Sequence, residues 1–258
     1  MLRIQLFGPP LVFDDDRPLP IRRRVTRALL FYLVAQGKPV TREHLVDLFW
    51  PNSPPDKARS ALRDMLGKLR GTLPDREILR TAPEAVSLDF AKLQVDFLEL
   101  QKQFASINLS AWKIPADSPL PVEIYRQMVE SVNLWGGQRF LEGGEQSFSV
   151  ELDDWAQATE QEVINDAIRV IKRLARHEST FGDPEQALKW LRMAAPYVEF
   201  DSQLQQEILE TYLKIGAQEA ARAYYENLQA VYAPDECPPN LRAFQVRIFS
   251  PRLAESPS

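Results

Sequence analysis

Hydrophobic residues recur at a helical spacing between residues 56 and 72, where the chain reads DKARSALRDMLGKLRGT. At about 100° per residue, one side of this segment is apolar and the other is polar. The apolar side consists of Ala58, Ala61, Leu62, Met65 and Leu69, with Leu66 at its edge. The polar side consists of Arg59, Ser60, Arg63, Asp64, Gly67 and Arg70, with Lys57 and Lys68 near its margins. The spacing predicts an amphipathic helix that buries its apolar side.

Cations dominate the polar side of this predicted helix. A solvated helix normally places Glu and Lys four residues apart, because such pairs stabilise it. On this side the cations outnumber the lone Asp64. The pattern favours a helix that lies against nucleic acid, and the alternative is an ordinary solvated face.

The residues on either side predict short strands and two further helices. Residues 2–7 alternate apolar and polar, and the alternation resumes at 11–13 after a Gly-Pro-Pro break, which predicts two or three strands. Helical periodicity fills 25–36 and stops at a glycine, and a threonine is placed to cap a second helix that ends at residue 49. Apolar runs at 78–81 and 85–88 predict a hairpin. Strands, three helices and a terminal hairpin are the parts of a winged helix, in which the third helix enters the major groove.

The segment RVTRALLFYLVAQGKPVTREHLVDLFWPNSPPDKARSALRDMLGKLRGTL resembles the OmpR-type winged-helix domain of bacterial regulators of the Streptomyces antibiotic regulatory protein class. The resemblance implies that the helix after the Trp-Pro pair reads DNA and that Arg42 contacts phosphate. Arginine suits phosphate oxygens and also the O6 and N7 edge of guanine. We expect Arg59 and Arg63 nearest the groove floor, and Lys57, Lys68 and Arg70 on phosphates. The full set expected at the DNA is Arg42, Lys57, Arg59, Ser60, Arg63, Asp64, Lys68, Arg70 and Arg80.

Two residues of the third helix depart from an ideal DNA-binding surface. Gly67 lies in the helix interior, where glycine costs roughly 1 kcal/mol relative to alanine. Asp64 places a negative charge on a face meant for an anion; it can accept a hydrogen bond from cytosine N4, orient Arg63, or indicate weakened DNA binding. The run of arginines at 22–24 and the single Arg80 also have two interpretations, a phosphate contact or simple solvation.

The second half of the chain is expected to be helical throughout. Apolar spacing predicts helices over 93–104, 124–135 and about 151–181, with a loop over 106–121 and an irregular glycine-containing connection over 136–144. The glycine pairs are not a phosphate loop, because a Walker motif needs Gly-x-x-x-x-Gly-Lys-Ser/Thr and the sequence contains no such string.

An internal repeat follows these helices. GDPEQALKWLRMAA and GAQEAARAYYENLQ are offset by 34 residues, which is the tetratricopeptide period. The matching positions are Gly182 with Gly216, Ala187 with Ala221, and Leu191 with Tyr225. Two copies are fewer than such arrays need, so the preceding helices are expected to complete the stack.

The family resemblance extends over this half. LWGGQRFLEGG, LDDWAQATEQEV and the repeat pair resemble the bacterial transcriptional activation domain that follows the winged helix in those regulators. Pro238 and Pro239 are expected to start its last helix in altered form. The expected fold is mainly α, with a winged helix of three helices, short antiparallel strands and a hairpin wing, followed by an all-α tetratricopeptide-like domain. The expected domains are 1–90, 91–250 and a tail at 251–258.

Charge is divided unevenly between the two halves. The net charge is −5, but residues 1–90 hold 15 Lys and Arg against 11 Asp and Glu, and the remainder holds 16 against 25. A basic first half can be drawn to phosphate while an acidic second half faces protein. Because no apolar run reaches about 18 residues and no signal peptide is legible, we expect a cytoplasmic protein without membrane contact.

Residues suited to catalysis are sparse. His44 and His177 lie in helical patterns without metal-ligand spacing, and the single Cys237 has no base beside it in sequence. The tryptophans are expected in the core. We therefore expect no enzyme activity and no cofactor.

The sequence points to a transcriptional regulator, in keeping with an activator, that binds double-stranded promoter DNA and contacts RNA polymerase or another protein. Binding as a homodimer to repeated sites is an expected arrangement of the family. The alternative is a helical-repeat adaptor whose winged helix no longer binds DNA. A third possibility is the front of a longer, ATPase-containing regulator.

Overall fold

The computed structural model describes residues 1–143, 149–232 and 237–249. The predicted tail at 251–258, and Gly144 of the predicted glycine connection, lie outside the described residues. Within the described ranges no helix is both long enough and apolar enough to cross a membrane.

The N-terminal strands form a four-stranded sheet. β1 (Leu2–Gln5), β2 (Leu11–Asp14) and β3 (Arg17–Pro18) are antiparallel, and β7 (Leu93–Val95) pairs in parallel with β1, giving the order β3-β2-β1-β7. The predicted strands are confirmed. The helix expected to begin at Leu93 is wrong at that end, because residues 93–95 alternate buried, exposed and buried and hydrogen-bond to β1.

Three helices follow this sheet, as predicted. α1 (Arg24–Gln36) ends at Gly37, whose φ of +65° is the left-handed conformation that glycine adopts without strain. α2 (Arg42–Phe49) begins after Thr41, whose side chain accepts a hydrogen bond from the His44 backbone N–H. α3 (Pro55–Thr72) is the cationic helix and starts on a proline, a residue suited to the first helical position.

A three-stranded sheet completes the winged helix. β5 (Leu79–Thr81) and β6 (Ala85–Leu88) form the predicted hairpin, and β4 (Val40–Thr41) pairs with β6, giving the order β4-β6-β5. α3 packs against this domain through a fully buried side made of Ala58, Leu62, Met65, Leu66 and Leu69. Two details differ from the sequence pattern: Leu66, expected at the edge, is buried, and Ala61 is only half-buried.

Aromatic rings fill the core of the first compact unit, which comprises the described residues within 1–106 and 133–165. The Tyr32 ring lies 4.7 Å from that of Trp155 and 6.2 Å from that of Phe49. Phe140 continues the cluster, 5.8 Å from Trp155 and 4.8 Å from Phe97. The functional boundaries at residues 90 and 250 stay predictions, because compactness and function need not divide a chain at the same residue.

The remaining helices begin with α4 (Asp96–Ser110), α5 (Val122–Trp135) and α6 (Val150–Phe181). The loop expected from residue 106 is shorter than predicted, because α4 continues to Ser110 and a 3₁₀ turn (Ala111–Lys113) follows it. Ile107 and Ala111 are fully buried, which anchors this stretch despite its Asn and Ser content.

The repeat pair lies in the second compact unit, which consists of the described residues within 107–132 and 166–249. α7 (Pro184–Ala194), α8 (Ser202–Lys214) and α9 (Gln218–Val231) stack in sequence, and the matched Ala187 and Ala221 are both fully buried. The matched Leu191 and Tyr225 are each 1% exposed. α10 (Pro239–Arg242) starts after Pro238, as expected. A turn at Ala243 interrupts the helix before α11 (Phe244–Phe249).

Candidate nucleic-acid interface

The exposed surface of α3 divides into a crest and two flanks. The crest is defined by the small or acidic residues Ser60, Asp64, Gly67 and Gly71, all of them exposed. The wing-side flank is defined by Arg59, Arg63 and Arg70, and the opposite flank by Lys57 and Lys68, as helical periodicity at 100° per residue requires. The predicted cations therefore do not form one face but border the crest on both sides.

Arg70 is occupied by the wing. Its Nη2 donates to the Leu79 carbonyl oxygen at 3.2 Å and to Thr81 Oγ1 at 2.8 Å. The side chain is half-buried and joins the last turn of α3 to β5. This residue, expected on a phosphate, is placed to fix the angle between helix and wing.

Two more of the predicted residues form hydrogen bonds at the wing. Arg42 Nε donates to the Ala82 carbonyl oxygen at 2.9 Å, which ties the start of α2 to the tip of the hairpin. Arg80 donates to Asp89 Oδ2 at 2.7 Å, with 64% of the Arg80 side chain still exposed. Both guanidinium groups keep donors beyond these contacts, because each carries five N–H groups.

A cleft of about 1080 Å³ lies between α2, the start of α3 and the wing tip. It brings together Arg42, Arg59 and Arg63 from the predicted set. It is also lined by four carboxylates, those of Glu43, Asp47, Asp56 and Glu84. Arg59 Nη1 lies 3.8 Å from Asp56 Oδ1. The wing-side cleft is therefore mixed in charge rather than uniformly cationic.

Asp64 and Asp75, the acids able to interrupt a cationic face, both have lysine partners. Asp64 accepts a hydrogen bond from Lys68 Nζ one turn along α3. Asp75 Oδ2 lies 2.6 Å from Lys92 Nζ, and this hydrogen bond holds the pKa of Asp75 below its ordinary value. The negative charge of Asp64 on α3 is thus partly neutralised by Lys68.

Open space surrounds the glycines of the crest. A Cβ placed on Gly67 or Gly71 would meet no described atom within 4 Å, so neither glycine is required by packing inside the domain. Small residues on the outer surface of a helix let its backbone approach a partner closely.

Trp50, which the sequence assigned to the core, is placed otherwise by the structure. It is only half-buried, lines the wing-side cleft and extends to a second cleft beside Asp64 and Lys68. The position of Trp50 after α2 and before the proline-rich connection could have indicated this exposure from the sequence, since a tryptophan in a connection need not enter the core.

The two histidines have structural contacts. His44 Nε2 lies 2.7 Å from the Tyr32 hydroxyl, and His177 Nδ1 accepts a hydrogen bond from the Leu120 backbone N–H at 3.2 Å. No group of three or more His, Cys, Asp or Glu side chains among the described residues is arranged to hold a metal ion. Cys237 is half-buried, and its thiol points to the Pro238 carbonyl oxygen at 3.9 Å.

Buried polar contacts organise the second unit. Arg173, 5% exposed, donates to the carbonyl oxygens of Pro115 at 2.9 Å and Ser118 at 3.2 Å, which fixes that connection against α6. Glu178 accepts a hydrogen bond from the Tyr125 hydroxyl. Burial, followed by this contact, raises the pKa of Tyr125 to about 12. These groups stabilise the helical half rather than form an open site.

Comparison with known proteins agrees with this architecture. Residues 120–248, half of the chain, match the family described as bacterial transcriptional activator domain. Among solved structures, the chain is similar to Mycobacterium tuberculosis EmbR in complex with low affinity phosphopeptide, with a TM-score of 0.64 and 21% identity. That similarity covers 96% of this chain and 64% of EmbR, so the chain spans less than two thirds of that protein's length. No curated protein sequence gives a significant match. With the family match over its helical half, the chain belongs to the bacterial transcriptional activator domain family.

Proposed function

We propose that this protein activates transcription by binding promoter DNA through α3 and by contacting a protein partner through its helical repeats. The observation that carries the proposal is the exposure of Lys57, Arg59 and Arg63 on the outer surface of a helix whose opposite side is fully buried. A helix in this position of a winged helix is the element that enters the major groove.

Arginine side chains on α3 supply the base contacts. Arg59 and Arg63 lie one turn apart on the wing-side flank and are both exposed, so both can reach base edges when the crest faces the groove. Arginine donates in pairs to guanine O6 and N7, and each such contact is worth about 1–3 kcal/mol of discrimination. On the crest, Ser60 and Asp64 carry short polar side chains that can contact a base when the helix approaches the groove floor closely.

Residues on and beside the wing contact phosphates. Arg42 and Arg80 keep exposed donors beside the hairpin, and a wing lies along the DNA backbone in this type of domain. Arg70 acts indirectly, since its hydrogen bonds to β5 position the wing relative to α3.

The helical half binds protein. Residues beyond 90 hold 16 Lys and Arg against 25 Asp and Glu, a balance that repels DNA and suits a protein surface such as RNA polymerase. Binding as a homodimer to repeated sites is the arrangement that we expect on promoters.

A titration of labelled duplex DNA with the whole chain tests the DNA-binding step. The affinity is expected to fall steeply as salt rises, because cations on the protein displace counterions from DNA. Arg63→Ala is expected to weaken binding to a preferred sequence by about 1–3 kcal/mol, with less effect on random DNA.

The matched control for this titration is Lys189→Ala, since Lys189 is exposed on α7 in the acidic half. The control is expected to bind like the unaltered chain. Binding no stronger than that of an unrelated protein of equal charge would contradict the proposal, and an unchanged affinity in Arg63→Ala would remove that residue from the interface.

A protein-docking adaptor is the second candidate. It is favoured by the wing-side cleft, in which four carboxylates face three arginines. Such a surface suits a protein segment of mixed charge better than a polyanion. The same titration separates the two, because an adaptor would give no salt-dependent DNA binding.

A further inference from the structure

We propose that a second basic surface binds the DNA backbone on the side of α3 away from the wing. This surface, the α1-side ridge, is defined by Arg22, Arg23, Arg24 and Lys68. This inference rests on the proposed function. It assigns the main phosphate contact of the domain to residues outside the wing and outside most of α3.

Two shallow clefts show that these residues are neighbours. One, of about 520 Å³, is lined by Arg23, Arg24 and Lys68. The other, of about 530 Å³, is lined by Arg22, Arg23 and Lys68. Because Arg23 and Lys68 line both, the segment before α1 and the C-terminal part of α3 form one continuous basic surface.

The charge of the α1-side ridge differs from that of the wing-side cleft. Among the described residues that line its two clefts, Asp64 is the one acid, and Lys68 already binds it. The first turn of α1 contains no acidic residue. Arg22 and Arg23 therefore stand beside a single carboxylate that Lys68 already binds, whereas the wing-side cleft has more carboxylates than arginines. A polyanion is attracted more strongly to the α1-side ridge.

The dimensions of DNA explain why both flanks of α3 matter. The major groove is about 12 Å wide and an α-helix with its side chains is about 10–12 Å across, so a helix in the groove has one backbone on each side. If the wing-side flank faces one strand, the opposite flank faces the other. Lys68 lies on that opposite flank, and the arginines before α1 extend the basic surface outward from it.

Arginines at positions 22 and 23 suit this role because they are exposed and precede the helix. Their side chains are not needed for the buried side of α1, which is formed from Thr26 and residues 29–35. A bidentate guanidinium can hold two phosphate oxygens without reading sequence. The α1-side ridge should therefore contribute affinity and salt dependence but little specificity.

The test is a salt series of DNA titrations with the full chain carrying Arg22→Gln and Arg23→Gln together. Losing two phosphate contacts should make the slope of log affinity against log salt shallower by about 1.8, from about 0.9 for each phosphate. Affinity for preferred and random duplexes should fall by similar factors, about tenfold or more at low salt. Arg22→Lys with Arg23→Lys should restore most of the slope, because the charge is kept.

Lys102→Gln with Lys189→Gln removes the same charge from exposed positions on α4 and α7 and is expected to leave slope and affinity unchanged. If the unaltered chain binds DNA and the Arg22, Arg23 double variant keeps its slope and affinity, the α1-side ridge is overturned while the proposed function stands. If the double variant loses only the preferred sequence, those arginines read bases and the backbone assignment is wrong. If the unaltered chain shows no salt-dependent binding, both proposals fail.

Discussion

Single side chains on α3 differ in what they are free to do. Arg70 donates twice to β5, and Lys68 donates to Asp64, whereas Lys57 and Arg63 extend from exposed positions. The exposed ion pair between Lys68 and Asp64 contributes little to the stability of the protein, since such pairs contribute about 0–1 kcal/mol. Its effect is on the surface charge, because it places a partly neutralised carboxylate on the crest.

Gly67→Ala is expected to stabilise the protein and weaken DNA binding. Gly67 lies inside α3, and an added Cβ would meet nothing among the described atoms, so the helix should gain about 1 kcal/mol in the free energy of unfolding. The same methyl group stands on the crest, where it would hold the backbone away from the bases. Denaturant unfolding and DNA titration of one preparation measure the two effects.

Gly216→Ala is the control for stability, because the φ of +76° at Gly216 is strained for any residue with a Cβ, and unfolding should become easier. A loss of stability in Gly67→Ala would contradict the account of α3. Normal DNA affinity in that variant would mean that the crest does not approach the groove floor.

Exposure of the α3 cations was predictable, but their partners were not. Helical periodicity alone separates the buried side from Lys57, Arg59 and Arg63. The contact of Arg70 depends on how the hairpin lies against the last turn of α3, which no local pattern encodes. The neighbourhood of Arg23 and Lys68 arises in the same way, from the packing of α1 on α3.

At the scale of the element, the start of α8 combines a cap with an ion pair. Asp201 Oδ1 accepts hydrogen bonds from the backbone N–H groups of Gln203 and Leu204, each at 3.1 Å. Asp201 Oδ2 lies 2.5 Å from Lys172 Nζ of α6. Burial alone would raise the pKa of Asp201, but the contacts with Lys172 and the backbone together hold the pKa below its ordinary value.

Asp201→Ala is expected to lower the free energy of unfolding by about 0.5–2 kcal/mol at neutral pH, as for other helix caps. Because the folded state lowers this pKa, the stabilisation is fully present above the unfolded value of about 3.9 and is lost as pH falls through the folded value. The free energies of unfolding of Asp201→Ala and of the unaltered chain, measured across pH, should therefore converge in acid.

Asp183→Ala serves as the comparison, since Asp183 caps α7 through the Glu185 backbone N–H and is exposed. It should cost less stability than Asp201→Ala. An equal cost for the two changes, or a constant difference between Asp201→Ala and the unaltered chain down to low pH, would contradict the role given to Lys172.

Most element boundaries followed from the sequence, and the exceptions have physical reasons. Caps at Thr41 and Gly37 fixed the helices beside them, because the backbone there needs those residue types. β7 was missed because its three residues fit a strand only when β1 lies alongside. The end of α4 was missed because Asn and Ser favour loops locally, whereas burial of Ile107 and Ala111 overrides that preference.

At the scale of the whole molecule, the two halves differ in charge balance, with 15 Lys and Arg against 11 Asp and Glu in residues 1–90 and 16 against 25 in the remainder. The resemblance of the sequence to a known class of regulators was confirmed by the family match over residues 120–248 and by the shared fold. The DNA-contacting residues stay a prediction, since a helix that is turned outward can serve DNA or protein. Our proposal expects DNA to be attracted more strongly to the α1-side ridge than to the wing-side cleft, because more carboxylates line the wing-side cleft.

The most direct measurement is a selection of bound duplexes from a random pool with the full chain. A helix that reads bases should enrich a defined motif, and binding to repeated sites should enrich two copies at a fixed spacing. Arg59→Ala with Arg63→Ala should lose that motif while retaining salt-dependent binding to random DNA. Recovery of no motif, or of the same motif by the double variant, would contradict the claim that α3 reads promoter DNA.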